Sequence, residues 1–218
     1  MLNEQESIGA TLAALRAGAP QAEIIVVDGG SADDSPGIAR ERCDILLQAP
    51  RGRSNQLNAG AAKAIGRILA FVHADTIVPR SFAADIEAAM RDLATVGGRF
   101  DLILDDPALP YRLIGWLISV RSRLSRTGTG DQALFARREV FQRLGGFPQI
   151  EICEDLDFSR RLKRAGQVAC LRSQVVTSAR RWQRAGLIRT VVRMWVIRLS
   201  YLAGIAPARL RRWYADVR

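Results

Sequence analysis

Four short stretches of this 218-residue chain carry side chains able to act together in chemistry. Two of them share a form, an apolar run that ends in aspartate and then breaks into a loop: Ile24-Ile25-Val26-Val27-Asp28 and Ile68-Leu69-Ala70-Phe71-Val72-His73-Ala74-Asp75. Continuous aliphatic runs mark buried parallel strands, and ligands of open α/β sheets sit outside the carboxyl ends of such strands. The two carboxylates therefore point at a shared nucleotide or metal site. After Asp28, the run Gly29-Gly30-Ser31-Ala32-Asp33 lets backbone approach a ligand closely and adds acceptors suited to a base or ribose. It reads equally as a polar turn in which Asp33 or Ser35 caps a helix. The G-x-G-x-x-G dinucleotide fingerprint is absent, as is the second Asp two positions on that an aspartyl phosphatase would normally use.

His73 and Asp75 stand two residues apart at a strand end, a spacing that projects both to one side, where imidazole and carboxylate suit Mn²⁺ or Mg²⁺ with phosphate oxygens completing the shell. The alternative is a hydrogen-bonded histidine, the only one in the chain, beside an aspartate that caps the turn. Arg51-Gly52-Arg53-Ser54-Asn55-Gln56-Leu57-Asn58 puts two guanidiniums on a glycine loop at a helix start, which favours an anion such as a diphosphate, or is simply a solvated basic loop. Glu151-Ile152-Cys153-Glu154-Asp155-Leu156-Asp157 gathers four carboxylates at another helix start. The helix dipole alone favours acidic groups there, and one held near a nucleotide could also serve as general base to a hydroxyl.

The elements that must position these residues alternate through the first half as helices and strands, the pattern of a mostly parallel, Rossmann-type sheet flanked by helices. The sequence predicts a helix over 6–16, the strand 24–27, a short helix announced by Ser35-Pro36, a strand near 44–47, a helix near 54–65, the strand 68–72 and a helix opened by Ser81. A strand over 96–105, an apolar helix over 111–124, a strand over 132–136, a helix from about Glu154, and two helices over 185–203 and 207–214 follow. One element is missing: a parallel sheet whose chain opens with a helix at residue 6 has no first strand. The expectation is a native start upstream of Met1, or an incomplete sheet.

The net charge of +10 is concentrated in residues 180–218, which hold ten Arg and one acidic residue, Asp216. Such a basic segment suits an anionic surface or ligand, whereas a long nucleic acid would draw positive charge along a groove. Leu187, Ile188, Val191, Val192, Trp195, Leu199 and Leu202 recur there at helical spacing with Arg189 and Arg193 on one flank. That face either packs on its own domain or lies on a membrane surface. Cys43, Cys153 and Cys170 are odd in number without C-x-x-C spacing, which argues against a disulfide framework or zinc cluster and suits a reducing cytosol. No signal peptide is evident, and no apolar run reaches the roughly 18 to 20 residues of a spanning helix.

Taken in order, Asn3-Glu4, Asp28-Gly-Gly-Ser-x-Asp, Arg53-x-x-Gln-Leu-Asn-x-Gly, His73-Ala-Asp-Thr, Gly130-Asp-Gln, Glu154-Asp and Arg180-Arg-Trp resemble a family 2 glycosyltransferase of the GT-A type along essentially the whole chain. Within that family, His-Ala-Asp-Thr, Gly-Asp-Gln-Ala-Leu-Phe and Ser-Ala-Arg-Arg-Trp are similar to the bacterial subfamily associated with arsenosugar-type biosynthesis. The resemblance implies an inverting transfer from a nucleotide-sugar donor, most simply a UDP-sugar, to a small-molecule or lipid-linked acceptor. By it, Asp28 contacts the nucleobase; Asn3, Glu4, Arg53 and Asn58 help hold the nucleotide; and Asp75 ligates the metal, with His73 where many relatives have the first Asp of D-x-D. Asp155 is the base, Arg180 and Arg181 offset charge on the leaving diphosphate, and Asp131, Gln132, Glu154 and Trp182 face the acceptor. It further implies a catalytic domain over 1–180, a basic helical extension over 181–218, no nucleic-acid partner, and a cytoplasmic location with peripheral attachment to an anionic inner-membrane surface left open, as is oligomerisation. A sugar-phosphate nucleotidyltransferase and a non-catalytic membrane-surface binding protein are the competing readings.

Overall fold

The computed structural model describes residues 1–213. In chain order the elements are α1 (Ile8–Gly18), β1 (Ile25–Asp28), α2 (Ser35–Arg40), β2 (Ile45–Gln48), α3 (Arg53–Lys63), β3 (Ile68–Phe71), β4 (Thr76–Ile77), α4 (Phe82–Met90), β5 (Thr95–Leu104) and α5 (Leu109–Ser125). A 3₁₀ turn at Gly130–Gln132 precedes β6 (Leu134–Arg137), α6 (Arg138–Arg143), α7 (Glu154–Ala165), β7 (Gln167–Thr177), α8 (Arg180–Ala185), α9 (Leu187–Leu202) and α10 (Pro207–Arg211). The expected end of the last helix at Tyr214, like Asp216, lies outside the described residues.

The strands form two sheets. β1 and β2 pair in parallel, Ile25 opposite Ile45, and the larger sheet runs β3-β6-β5-β7-β4. In it β3, β5 and β7 point one way, while β6 and the two-residue β4 run antiparallel to their neighbours. The reversal at β6 follows from the 3₁₀ turn before it, where Ala133 takes a left-handed φ of 46°. Met1 bridges toward the small sheet: its amino group donates to the Val27 carbonyl at 2.7 Å and its carbonyl accepts from Gly29 N at 3.0 Å, the bond pattern of a parallel strand beside β1.

Alternation along β6 divides the core into two layers, because successive side chains of a strand face opposite sides. Phe135 joins Phe82, Phe100, Ile114, Val175 and Trp182 on the face covered by α4, α5, α8 and α9. Leu134 and Ala136 join Phe71, Phe141, Phe147, Phe158 and Leu162 on the face covered by α3, α6 and α7. Four of these phenylalanines form a ring cluster with centroids 4.7–6.4 Å apart, a geometry that adds about 0.5–1.5 kcal/mol per pair to the area buried. Gly97 and Gly98 of β5 are required: a Cβ on either would collide with the backbone or ring of Phe135. The segment from α8 onward is continuous with this packing, since Leu187, Val191 and Met194 pack on the same cluster as Trp182.

Candidate active site

A cavity of about 370 Å³ opens where the ends of β3 and β7 meet the first residues of the chain, the starts of α3 and α7, and one side each of α5 and α9. Of the residues expected from sequence, Asn3, Glu4, Arg53, His73, Asp75, Asp131, Glu154, Asp155, Arg180, Arg181 and Trp182 line it.

At one end Glu4, Asp75 and Arg180 converge. Arg180 Nη2 donates to Glu4 Oε2 at 2.7 Å and lies 3.8 Å from Asp75 Oδ2, while Nη1 is 3.8 Å from Glu6. The bond to Glu4 pushes the Arg180 pKa up, and burial, followed by the charge of Glu4, pushes that of Asp75 up against the pull of Arg180. Glu4 is fixed by its own backbone: its N–H donates to Ser35 Oγ at 2.7 Å, and Ser7 Oγ donates to its carboxylate at 3.0 Å. Asn3 makes this possible by adopting a left-handed φ of 53°, which Asn tolerates better than most residues. Its side-chain oxygen accepts from Ala32 N at 2.8 Å, tying the segment to the loop after β1.

Asp28, Asn58 and Gln132 do not line the cavity. Asp28 turns inward, accepting from Gly30 N and Ser31 N at 3.0 Å and from Ser31 Oγ at 2.6 Å, so it shapes the loop that receives Asn3. Asn58 brackets Phe147, accepting its N–H at 3.0 Å and donating to its carbonyl at 2.8 Å. Gln132 is fully buried and donates to Phe100 O and Ser122 Oγ, while its carbonyl completes a capping box with Thr129. The expected strand end at His73–Asp75 is a turn, closed by Thr76 N on His73 O at 3.1 Å, since β3 stops at Phe71. The turn parts the two side chains. Asp75 faces Glu4 and Arg180, whereas the His73 imidazole packs on Gly130, where an added Cβ would lie 2.5 Å from Nε2.

At the other end Asp155 sits in the first turn of α7, its Oδ2 accepting from Gly130 N at 2.7 Å and Oδ1 from Leu156 N at 2.6 Å. The helix is aimed here by Cys153, which takes a left-handed φ of 69° just before it. Glu154 is 4% exposed, and burial, then the neighbouring Asp155, lifts its carboxyl to about 7 against the opposing Arg53 at 3.8 Å. Burial also raises the Asp131 carboxyl, against a short hydrogen bond from Thr129 Oγ1. Trp182 is 6% exposed and forms a rigid wall.

Among the lining residues that were not legible as site residues are two arginines that act on Asp155. Arg121 of α5 and Arg198 of α9 project from helices that read as apolar or amphipathic, and both enter the cavity. Arg121 is held below the usual guanidinium range by burial; Arg198 is lowered to about 10 by burial and then by Arg121. Among the described residues no three His, Cys, Asp or Glu side chains cluster as a metal cage. His73 and Asp75 both line the cavity, but the turn aims them at different neighbours, so the expected pair is not brought together as one ligand set; Asp75 alone, at the Arg180 end, offers a hard oxygen donor to a divalent ion whose remaining ligands a bound diphosphate would supply. The arrangement can thus bind a polyanion at the Arg180 end and accept a proton at the Asp155 end.

Comparison with known proteins agrees with this fold. The mannosyltransferase PcManGT from Pyrobaculum calidifontis, solved with GDP-Man and Mn²⁺, superposes with a TM-score of 0.70 at 21% identity over 95% of this chain and 64% of that one. Residues 1–349 of S. aureus TarS, solved with UDP-GlcNAc, superpose with a TM-score of 0.65 at 17% identity over 82% of this chain and 56% of that one. The chain therefore spans less than two thirds of the length of these structures, and at such identities they share its GT-A fold. No curated protein matches the sequence. The family described as Glycosyl transferase family 2 matches residues 1–144, two thirds of the chain and both strand-end aspartates, and to that family this protein belongs.

Proposed function

We propose that the protein is an inverting glycosyltransferase that moves a sugar from a nucleotide-sugar donor, a UDP-sugar in the simplest case, to an acceptor hydroxyl. The observation that carries the reading is Asp155, whose carboxylate is pinned by two backbone N–H groups in a cavity whose far end holds Arg180 and Arg181 beside Glu4 and Asp75. In this mechanism Arg180 and Arg181 bind the donor diphosphate, with Arg53 at the start of α3 and the Asn3-Glu4 segment closing over the nucleotide. Asp28 acts by setting the loop that meets the base, and Asn58 by fixing the chain at Phe147. The acceptor hydroxyl gives its proton to Asp155 as its oxygen attacks the anomeric carbon from the face opposite the diphosphate. The bond from that carbon to the phosphate oxygen breaks, and its electron pair leaves on the diphosphate, where the arginines offset the growing charge. Mn²⁺ or Mg²⁺ held by Asp75 would supply further positive charge at that diphosphate, while His73 packs on Gly130 near Asp155. Trp182, Asp131 and Glu154 shape the acceptor side, and Gln132 holds Asp131 in place through the turn. Residues 181–218 serve as a basic extension, of which α8 and α9 complete the cavity wall. The neighbours solved with UDP, UDP-GlcNAc and GDP-Man support a nucleotide-sugar donor. The motifs His-Ala-Asp-Thr and Ser-Ala-Arg-Arg-Trp favour the arsenosugar-associated subfamily without assigning a product.

A thermal-shift panel of nucleotides and nucleotide sugars with Mn²⁺ tests the reading: UDP or GDP should raise Tm, and no response to any nucleotide would sink it in favour of a non-catalytic binding protein. Release of pyrophosphate from a nucleoside triphosphate plus a sugar phosphate would instead mark a nucleotidyltransferase.

A cytoplasmic protein that rests on the inner-membrane surface is favoured by one specific feature. Leu113, Trp116 and Leu117 of α5 and Ile188, Val192, Trp195 and Leu199 of α9 expose 48–77% of their surface, and Leu117 and Trp195 among them also line the cavity. α9 carries Arg189 and Arg193 and no acidic residue, a charge pattern complementary to anionic lipid. No described helix is long and apolar enough to cross a membrane. Flotation with anionic and neutral liposomes decides: retention by anionic vesicles is expected, and binding to neither removes the membrane role.

A further inference from the structure

The wall beside Asp155 carries two guanidiniums that the transfer chemistry leaves unused. Nε and Nη2 of Arg121 are buried and have no hydrogen-bond partner among the described residues. Asp131 and Asp155 act on Arg121 through space, yet among the described residues neither forms an ion pair with it. Arg198 approaches from the opposite helix and donates through Nη2 only to a neutral group, Thr127 Oγ1, at 3.1 Å. Burying a guanidinium without a matched anion is strongly unfavourable, and two side by side repel each other as well. The depressed basicity of Arg198, caused by burial and then by Arg121, agrees with that crowding.

We propose that Arg121 and Arg198 form an anion subsite for the acceptor, which carries a phosphate group next to the hydroxyl that is glycosylated. The proposal rests on Asp155 being the base. Two planar forks of N–H donors match the oxygens of one phosphate, and a dianion offsets both charges at once. The mixture of signs in the wall then orients the molecule. Phosphate is drawn to the arginines and repelled by the Asp155 carboxylate, so the neutral hydroxyl end faces the base. Beyond the arginines the lip is apolar, formed by Leu117 and Trp195, each about half exposed.

The phosphate could belong to a soluble phosphoester or to a lipid phosphate, and calorimetry on the full chain distinguishes them. The probes are glycerol 3-phosphate, glycerol and monohexanoyl lysophosphatidic acid, which keeps a free hydroxyl beside its phosphate, each with and without saturating UDP and Mn²⁺. Glycerol 3-phosphate should bind the UDP-loaded protein while glycerol does not, and Arg121→Gln or Arg198→Gln should weaken it about tenfold, with Lys at either position restoring part of the loss. UDP affinity should not change in these variants. Arg180→Gln should do the reverse, losing UDP and keeping glycerol 3-phosphate. Tighter binding of the lysophosphatidic acid assigns a lipid phosphate and equal binding a soluble one, both in support. Equal affinity for glycerol and glycerol 3-phosphate, or binding indifferent to both Arg121→Gln and Arg198→Gln, overturns the subsite. Should Arg121→Gln fail to fold, Arg198→Gln alone decides. Absence of UDP binding in the unmodified protein would count against the donor reading and not against the subsite, which the same variants still read in the nucleotide-free protein.

Discussion

At one end of the cavity Arg180 holds Glu4 at 2.7 Å with Asp75 and Glu6 at 3.8 Å, whereas at the other Arg121 and Arg198 face Asp131 and Asp155 without ion pairs among the described residues. The first end is neutralised within the protein and is partly exposed to water; its charges are exchanged, one partner for another, when a ligand arrives. At the second, the Asp155 carboxylate is steadied by the backbone N–H groups of Gly130 and Leu156 and Asp131 by Thr129 Oγ1, with no guanidinium locked onto either among the described residues. In the proposed mechanism the first end binds the donor and the second reacts.

Removing the base tests that division most severely. Asp155→Asn is expected to lower sugar release from the donor about 10³-fold while UDP affinity stays within about twofold, measured by product assay and calorimetry. Retained turnover would place the reacting end elsewhere. Arg180→Gln attacks the other end: it strips the partner from Glu4 and Asp75 and should weaken UDP about 30-fold, since a charge-assisted contact to the diphosphate is lost. An unchanged UDP isotherm would break the assignment of that end to the donor.

The Asp155 end should also reveal itself through pH. Glu154 has a carboxyl raised to about 7 from an ordinary 4.5 by burial and by Asp155, with Arg53 opposing and Cys153 beside it. Below the ordinary value both folded and unfolded chains hold the proton. As pH rises from there to about 7 the unfolded chain releases it first, so stability falls across that window, and the cost is complete above it. Glu154→Gln lacks this cost, and denaturant melts should show it gaining about 2 kcal/mol on the parent between pH 4.5 and 8. Parallel pH curves would mean that the group is solvated. Asn58→Ala lies at neither end and serves as a control. It should lose about 1.5 kcal/mol, having left Phe147 N and O unpaired, with UDP affinity unchanged.

The alternating elements, the cavity's position at strand ends and eleven of its residues were legible because they rest on local signals: aliphatic runs, proline and glycine punctuation, and the order of motifs. The rest depended on tertiary geometry. β7 was not anticipated, since Gln167–Thr177 interrupts its apolar residues with Arg172, Ser173 and Gln174 and is fully buried only at Val175 and Thr177. Its extended form comes from parallel pairing with β5. Asn58 and Gln132 have the polarity of ligand-binding residues, but their amides are matched to backbone groups that no local pattern reveals. Arg121 was concealed in the opposite way, as a charge within the stretch read as an apolar helix over 111–124.

The hydrogen bond between Arg180 and Glu4 joins residues 176 positions apart. During synthesis the carboxylate of Glu4 therefore waits for 176 further residues before its partner leaves the ribosome. Contacts of such long sequence separation form late. A polypeptide halted before α8 buries much of its sheet and still lacks this ion pair, so the Arg180 end of the cavity is completed after the framework that carries it.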